Sequence, residues 1–184
     1  MTKQDYILLF DSMHKDFFEG ESVKSLSEGE VFEEMLLPLK EFDPDIYNKK
    51  LPENISFGFY EGDISEIKKS IKKVSADWVQ FFNKDSRIFC GYIDGKAASF
   101  CLVDDMGEHI VKGQRLKIGG PGCVGTVPEY RNSGIGLTMV KLVTEILKNE
   151  GYDYSYIHYT AVAEWYAKLG YTTIFKWNKN GIIA

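Results

Sequence analysis

Residues 123–151 constrain the fold of this chain most strongly. A strand-like run, Cys123-Val124-Gly125-Thr126-Val127, enters a turn containing Gly134, and the turn opens directly onto the clearest helical pattern in the sequence, Ile135 to Leu147. Ile135, Met139, Leu142, Val143 and Ile146 recur on one side of that helix, and Gly151 is its natural stop. A helix start leaves backbone N–H groups unpaired and carries partial positive charge. Gly134 and Gly136 remove side chains that would hold a bulky anion away from those groups, no acidic residue fills the first turn, and Arg131 adds a cation alongside. A pyrophosphate requires this arrangement, although glycines spaced in this way also serve ordinary turns and tight packing. There is no Gly-Lys-Ser/Thr, which excludes the nucleoside triphosphatase P-loop, and no third glycine at Met139, which excludes the dinucleotide fingerprint.

The elements around this unit predict a mixed α/β sheet. Ile55–Tyr60 alternates as a strand, and Asp63 is placed to cap a helix carrying Ile64, Ile67, Ile71 and Val74 on one face, with Glu66 completing a capping box. Lys68, Lys69, Lys72 and Lys73 form the opposite, solvated face. A second short helix is expected at 76–82. Two β-rich runs, 87–93 and 96–103, flank Asp94-Gly95, a strong hairpin signal. Residues 104–113 read as a polar connection. Downstream come a strand at 154–160, a short helix at 162–169 and a last strand at 171–177. Residues 1–54 read as an irregular accessory segment packed on a domain of residues 55–184, with a strand at Tyr6–Phe10, a helix at Val31–Leu39, and then Pro38, Pro44 and Pro52 breaking the path.

Composition narrows the function classes. At 184 residues, 44% hydrophobic and 27% charged, the chain has the makings of one buried core. A net charge of −5 argues against a nucleic-acid partner, and no apolar run approaches the ~18 residues of a membrane span. Cys90, Cys101 and Cys123 give an odd count with no metal-ligand spacing, and the histidines His14, His109 and His158 pair with none of them. Free thiols in the cytoplasm and no metal are the expectation.

Arg131-x-x-Gly134-x-Gly136, after a Val-x-x-Val-Pro-x-Tyr strand end, resembles the acetyl-coenzyme A signature of the GNAT superfamily of N-acetyltransferases. Trp165-Tyr166-Ala167-Lys168-Leu169-Gly170-Tyr171 is similar to the closing motif of the same family, and the resemblance covers roughly residues 55–180. It implies the GNAT acyl-CoA N-acyltransferase fold, a mostly antiparallel sheet with a central strand–loop–helix cofactor site. It also implies acetyl transfer from acetyl-CoA to a primary amine of a small molecule or peptide. On this resemblance Val124, Gly125 and Thr126 pair with the pantetheine arm, while Arg131, Asn132, Ser133, Gly134, Ile135, Gly136 and Leu137 surround the pyrophosphate. Tyr166 is the general acid for the departing thiolate; the other reading of it is a core tyrosine. The acceptor is expected near Trp78, Phe81, Phe82 and Asp104, and homodimers are common in the family. Gly119-Gly120-Pro121-Gly122 either forms the family's strand-splaying bulge or a plain Pro-Gly turn.

Two departures stand out. The family often carries a glutamate on the strand before the loop, and residues 117–127 contain none; Asp104, Asp105, Glu108 and His158 are the candidates by position. Tyr159 replaces an asparagine common seven residues before the tyrosine. The missing glutamate leaves open a non-catalytic acyl-CoA sensor, and a purely structural loop in an interaction protein is the remaining alternative.

Overall fold

The computed structural model describes residues 1–184, in which eight strands form one mixed sheet in the order β2-β3-β4-β5-β6-β1-β7-β8. The strands are β1 (Phe32–Pro38), β2 (Ile55–Phe59), β3 (Ile88–Ile93), β4 (Lys96–Val111), β5 (Gln114–Thr126), β6 (Tyr154–Thr160), β7 (Thr172–Asn178) and β8 (Gly181–Ile182). The helices are α1 (Lys3–Met13), α2 (Glu21–Lys24), α3 (Ile64–Val74), α4 (Ile135–Asn149) and α5 (Ala163–Ala167). The chain divides into two compact units, residues 1–42, 105–119 and 148–184 in one, and 43–104 and 120–147 in the other.

In the unit made of residues 43–104 and 120–147, β2 pairs antiparallel with β3, and β3 with β4 across the Asp94-Gly95 turn. Both turn residues have positive φ, 49° and 74°, as a two-residue hairpin loop of this hand demands. Ile67 and Ile71 of α3 are buried with Ile88, Cys90, Phe100 and Leu102. Asp63 caps α3 through the Ser65 amide at 2.7 Å, but Glu66 does not complete a capping box; its carboxylate pairs with Lys69 at 2.7 Å instead. The expected helix at 76–82 is a 3-10 turn, Asp77–Phe81. Gly91 sits where a Cβ would fall 2.6 Å from Ser99 Oγ and 2.8 Å from Ile135 Cγ1, so the missing side chain lets the first residue of α4 approach the sheet. That approach fixes where the helix begins.

In the other unit β1 lies between β6 and β7, antiparallel to both, and β5 meets β6 in parallel at Ile118↔Tyr154 and Gly119↔Ser155. Three readings are corrected here. Tyr6–Phe10 belongs to helix α1, whose start is fixed by a Thr2/Asp5 capping box, and Leu9 and Phe10 are fully buried. Val31–Leu39 is not helical: Phe32–Pro38 is a strand buried from Glu34 to Leu37, and a strand covered on both faces loses the apolar–polar alternation of a half-exposed one. Residues 104–113 are also no loose connection, since β4 runs on to Val111 and turns through Lys112-Gly113, both at positive φ.

Glu34, fully buried on β1, takes four donors: the Tyr156 hydroxyl, His158 Nδ1 at 3.0 Å, the Tyr159 amide at 3.1 Å and Trp177 Nε1 at 2.7 Å. A carboxylate only accepts, so the Nδ1 of His158 carries the proton. The register moves from Glu33↔Thr160 to Met35↔Ile157, two steps on β1 against three on β6. The resulting bulge holds Tyr159 at φ 56°, a left-handed conformation rare for an aromatic residue, and Glu34 binds its amide.

His14, at the end of α1, stacks on His158 with ring centroids 4.1 Å apart. Burial, followed by the charges of His158 and His109, pushes its pKa down to about 4, and its buried Nε2 has no partner. A base held neutral in the folded state binds fewer protons than the unfolded chain once pH falls below the ordinary histidine value of 6.5. The stability of the fold therefore declines as pH drops from 6.5 towards 4. Replacing His14 with Phe should flatten the pH dependence of Tm across that window; equal slopes for both proteins would refute this role.

Candidate functional site

The site in the unit of residues 43–104 and 120–147 grows from the end of β5. Residues 119–126 are continuous strand, which removes the Pro-Gly turn as a reading of Gly119–Gly122. The strand is instead distorted at Cys123, a non-glycine residue at φ 47°. Gly122 faces Asp104 on β4, whose Oδ2 stands 2.2 Å from the place a Cβ would occupy, so only glycine lets the carboxylate come this close. Gly125 lies flat against the Phe100 ring in the same way. Val127 returns a hydrogen bond to the Ala98 carbonyl at 2.9 Å, and Pro128–Tyr130 make one 3-10 turn.

The loop then alternates hand. Asn132 has φ 64° and Gly134 φ 90°, on either side of Ser133, whose hydroxyl bonds the Tyr130 carbonyl at 2.7 Å. Arg131 before them is extended, and N–H groups in turns that pass through the left-handed region can converge on an anion. α4 starts at once, with no acidic residue in its first turn, and buried Ile135, Gly136 and Leu137 anchor that turn. Arg131 is exposed and its Nε reaches back to the Thr126 carbonyl at 3.3 Å. Val124, Gly125, Thr126 and Arg131 to Leu137 thus form one continuous strand end, loop and helix start. The Arg131 amide donates to the Pro128 carbonyl at 3.3 Å and the Ile135 amide to Ser133 Oγ at 3.4 Å, and the other N–H groups of the loop and first turn are of the kind that could serve a diphosphate.

Of the four acid–base candidates, Asp104 is the one that lies against the strand end at Gly122. Asp105 and Glu108 are exposed; Asp105 holds the Gly107 amide at 2.9 Å and Glu108 pairs with Arg115 at 2.9 Å. His158 is engaged by Glu34. Asp104 is half-buried, and burial raises its pKa above the usual carboxylate value. Beside it, burial and then the Asp104 charge push the Cys123 thiol up to about 11, so at neutral pH that sulfur keeps its proton. Cys90, Cys101 and Cys123 are all free. Of the aromatics expected near an acceptor, Phe82 is fully buried core, Trp78 is half-buried and Phe81 exposed.

Tyr166 belongs to the unit of residues 1–42, 105–119 and 148–184. It sits on α5 at 6% exposure, edge-on to Trp165 at 4.8 Å and to Tyr171 at 6.0 Å. Tyr171 in turn shares a 2.7 Å hydrogen bond with Ser155.

A family model described as acetyltransferase (GNAT) domain matches residues 70–174, more than half of the chain. The chain belongs to the GNAT acetyltransferase family. Among solved structures, similar folds include a GCN5-related glucosamine N-acetyltransferase region of a fungal multi-domain GH3 β-N-acetylglucosaminidase (TM-score 0.65, 19% identity, covering 79% of this chain and 20% of that one). Two further ones are GCN5-related N-acetyltransferases. That from Sphaerobacter thermophilus has TM-score 0.56 and 16% identity over 79% of this chain and 49% of its own; that from Kribbella flavida has 0.55 and 13% over 80% and 56%. This GNAT chain therefore spans about half or less of those three structures, and at these identities the likeness is one of fold. No curated protein matches it. Domains of the family generally use acyl-CoA donors and amine acceptors. No helix of this GNAT protein is long and apolar enough to cross a membrane.

Proposed function

We propose that this GNAT protein transfers the acetyl group of acetyl-coenzyme A directly to a primary amine of a small molecule or peptide. The observation that carries the reading is the alternating loop Arg131–Gly134 at an acid-free helix start, because it supplies backbone donors and a cation where a diphosphate needs them. Val124, Gly125 and Thr126 pair with the pantetheine arm, and the loop with Ile135 to Leu137 cradles the diphosphate. The amine nitrogen attacks the thioester carbonyl carbon, the C–S bond breaks, and the thiolate takes its proton from the Tyr166 hydroxyl. Asp104, directly or through one water, accepts the proton leaving the amine. A Cys123 thiol that stays protonated is a poor nucleophile, which favours direct transfer over an acetyl-cysteine intermediate. Positioning of the two reactants supplies part of the rate. The free thiols fit a reducing compartment, and we assign the protein to the cytoplasm.

The test is release of free coenzyme A from acetyl-CoA in the presence of a panel of primary amines, with Tyr166→Phe as comparison. Amine-dependent release, slowed in the variant, supports the assignment. Acetyl-CoA binding without turnover on any amine overturns the catalytic reading in favour of an acyl-CoA sensor.

A further inference from the structure

Residues 43–54 lie outside the stretch that matches the family, yet they bring a cation onto the glycine loop. Lys49 Nζ donates to the Asn132 carbonyl at 3.1 Å. Its stem crosses Gly134 so closely that a Cβ there would meet Lys49 Cδ at 2.5 Å. One residue earlier, Asn48 Oδ1 accepts from Lys141 Nζ, on the second turn of α4, at 3.3 Å. This short stretch is thus tied to the loop and to the helix behind it.

The charges at this point call for an anion. Lys49 and Arg131 both stand at the positive end of α4, where cations are unfavourable, and no acidic residue in the first turn offsets them. Lys49 is exposed, and its ammonium, with three donors, holds one neutral carbonyl. Such a contact contributes little next to a charge-assisted bond to phosphate. The four-carbon stem can re-aim the ammonium without moving the backbone. Gly134 is consequently useful twice: its φ of 90° shapes the loop, and its bare Cα lets the lysine stem lie over it.

We propose that Lys49 is a phosphate ligand of the donor, its ammonium passing from the Asn132 carbonyl to the diphosphate of coenzyme A so that residues 48–49 strap the bound donor down. The assignment rests on the reading of the loop as an acyl-CoA site. It extends that site to a segment the family signature does not include.

Calorimetric titration with acetyl-CoA at low and high salt tests it, using wild type, Lys49→Ala, Lys49→Arg and, as control, Lys50→Ala at the neighbouring exposed lysine. Loss of one charge-assisted bond should weaken Lys49→Ala about tenfold or more. The salt dependence of its affinity should flatten, while Lys49→Arg and Lys50→Ala stay near wild type. Unchanged or tighter binding by Lys49→Ala overturns the proposal, as does an equal loss in Lys50→Ala, which would mark a general charge effect. A wild type that binds no acetyl-CoA overturns the donor assignment and this inference with it, a result distinct from either.

Discussion

Asp104→Asn should lower kcat for amine acetylation by about 10²- to 10⁴-fold, the usual contribution of a positioned proton acceptor. Asparagine keeps the shape of the side chain and cannot take the amine's proton. Acetyl-CoA affinity should stay close to wild type, because Asp104 lies against Gly122 and Cys123 and not on the Arg131–Gly134 loop. The folded state also bears the burial that raises the Asp104 pKa, so the neutral amide should leave Tm unchanged or higher, separating lost chemistry from lost structure. The pH profile gives a further check. Activity in wild type should fall on the acid side as Asp104 protonates, at a pH above the ordinary carboxylate value of 3.8, and that limb should vanish in the variant. A variant with full kcat would remove Asp104 from the mechanism.

Glu34→Leu should cost about 3–5 kcal/mol of stability, because several buried donors lose their shared acceptor at once and each unsatisfied group costs about 1–3 kcal/mol. Leucine fits the volume but strands the Tyr156 hydroxyl, the Trp177 indole N–H and the Tyr159 amide in a dry interior. For a chain of this size the loss corresponds to a fall in Tm of roughly 10 °C. Glu34→Gln should lie between the two, since its amide accepts at one oxygen and meets the remaining donors with N–H groups. Chemical denaturation measures both; a cost below about 1 kcal/mol for Glu34→Leu would mean that the four-donor cluster does not hold β1 between β6 and β7.

These two residues show what the sequence exposes and what it hides. The strand–loop–helix unit at residues 123–149 was legible because its requirements are local: a helix start, glycines at fixed spacing and no acid in the first turn all lie within a few residues. The downstream strand–helix–strand order was legible for the same reason. The N-terminal segment was not. Its strand β1 has helix-like apolar spacing because it is buried on both sides, and Glu34 interrupts the pattern while satisfying donors more than 120 residues away. Helix α1 did carry a readable signal, Thr2 followed three residues later by Asp5, with Tyr6, Leu9, Phe10 and Met13 at helical spacing. Asp104 could be placed only by position, since its closeness to Gly122 depends on how β4 and β5 lie in the sheet. Lys49 gave no signal at all, because its contact with Asn132 spans 83 residues and depends on the absence of a side chain at Gly134.

The most direct test of the acyl-CoA assignment is calorimetric titration of wild type and Gly134→Glu with acetyl-CoA, with ATP as a control ligand and Tm recorded for both proteins. A glutamate at φ 90° would collide with the Lys49 stem and set a negative charge in the loop. The expected result is micromolar binding of acetyl-CoA to wild type, none of ATP, and loss of binding in a variant that still melts cooperatively. A folded wild-type protein that takes up no acetyl-CoA would contradict the account, and the loop would then be a tight turn serving only the packing of α4.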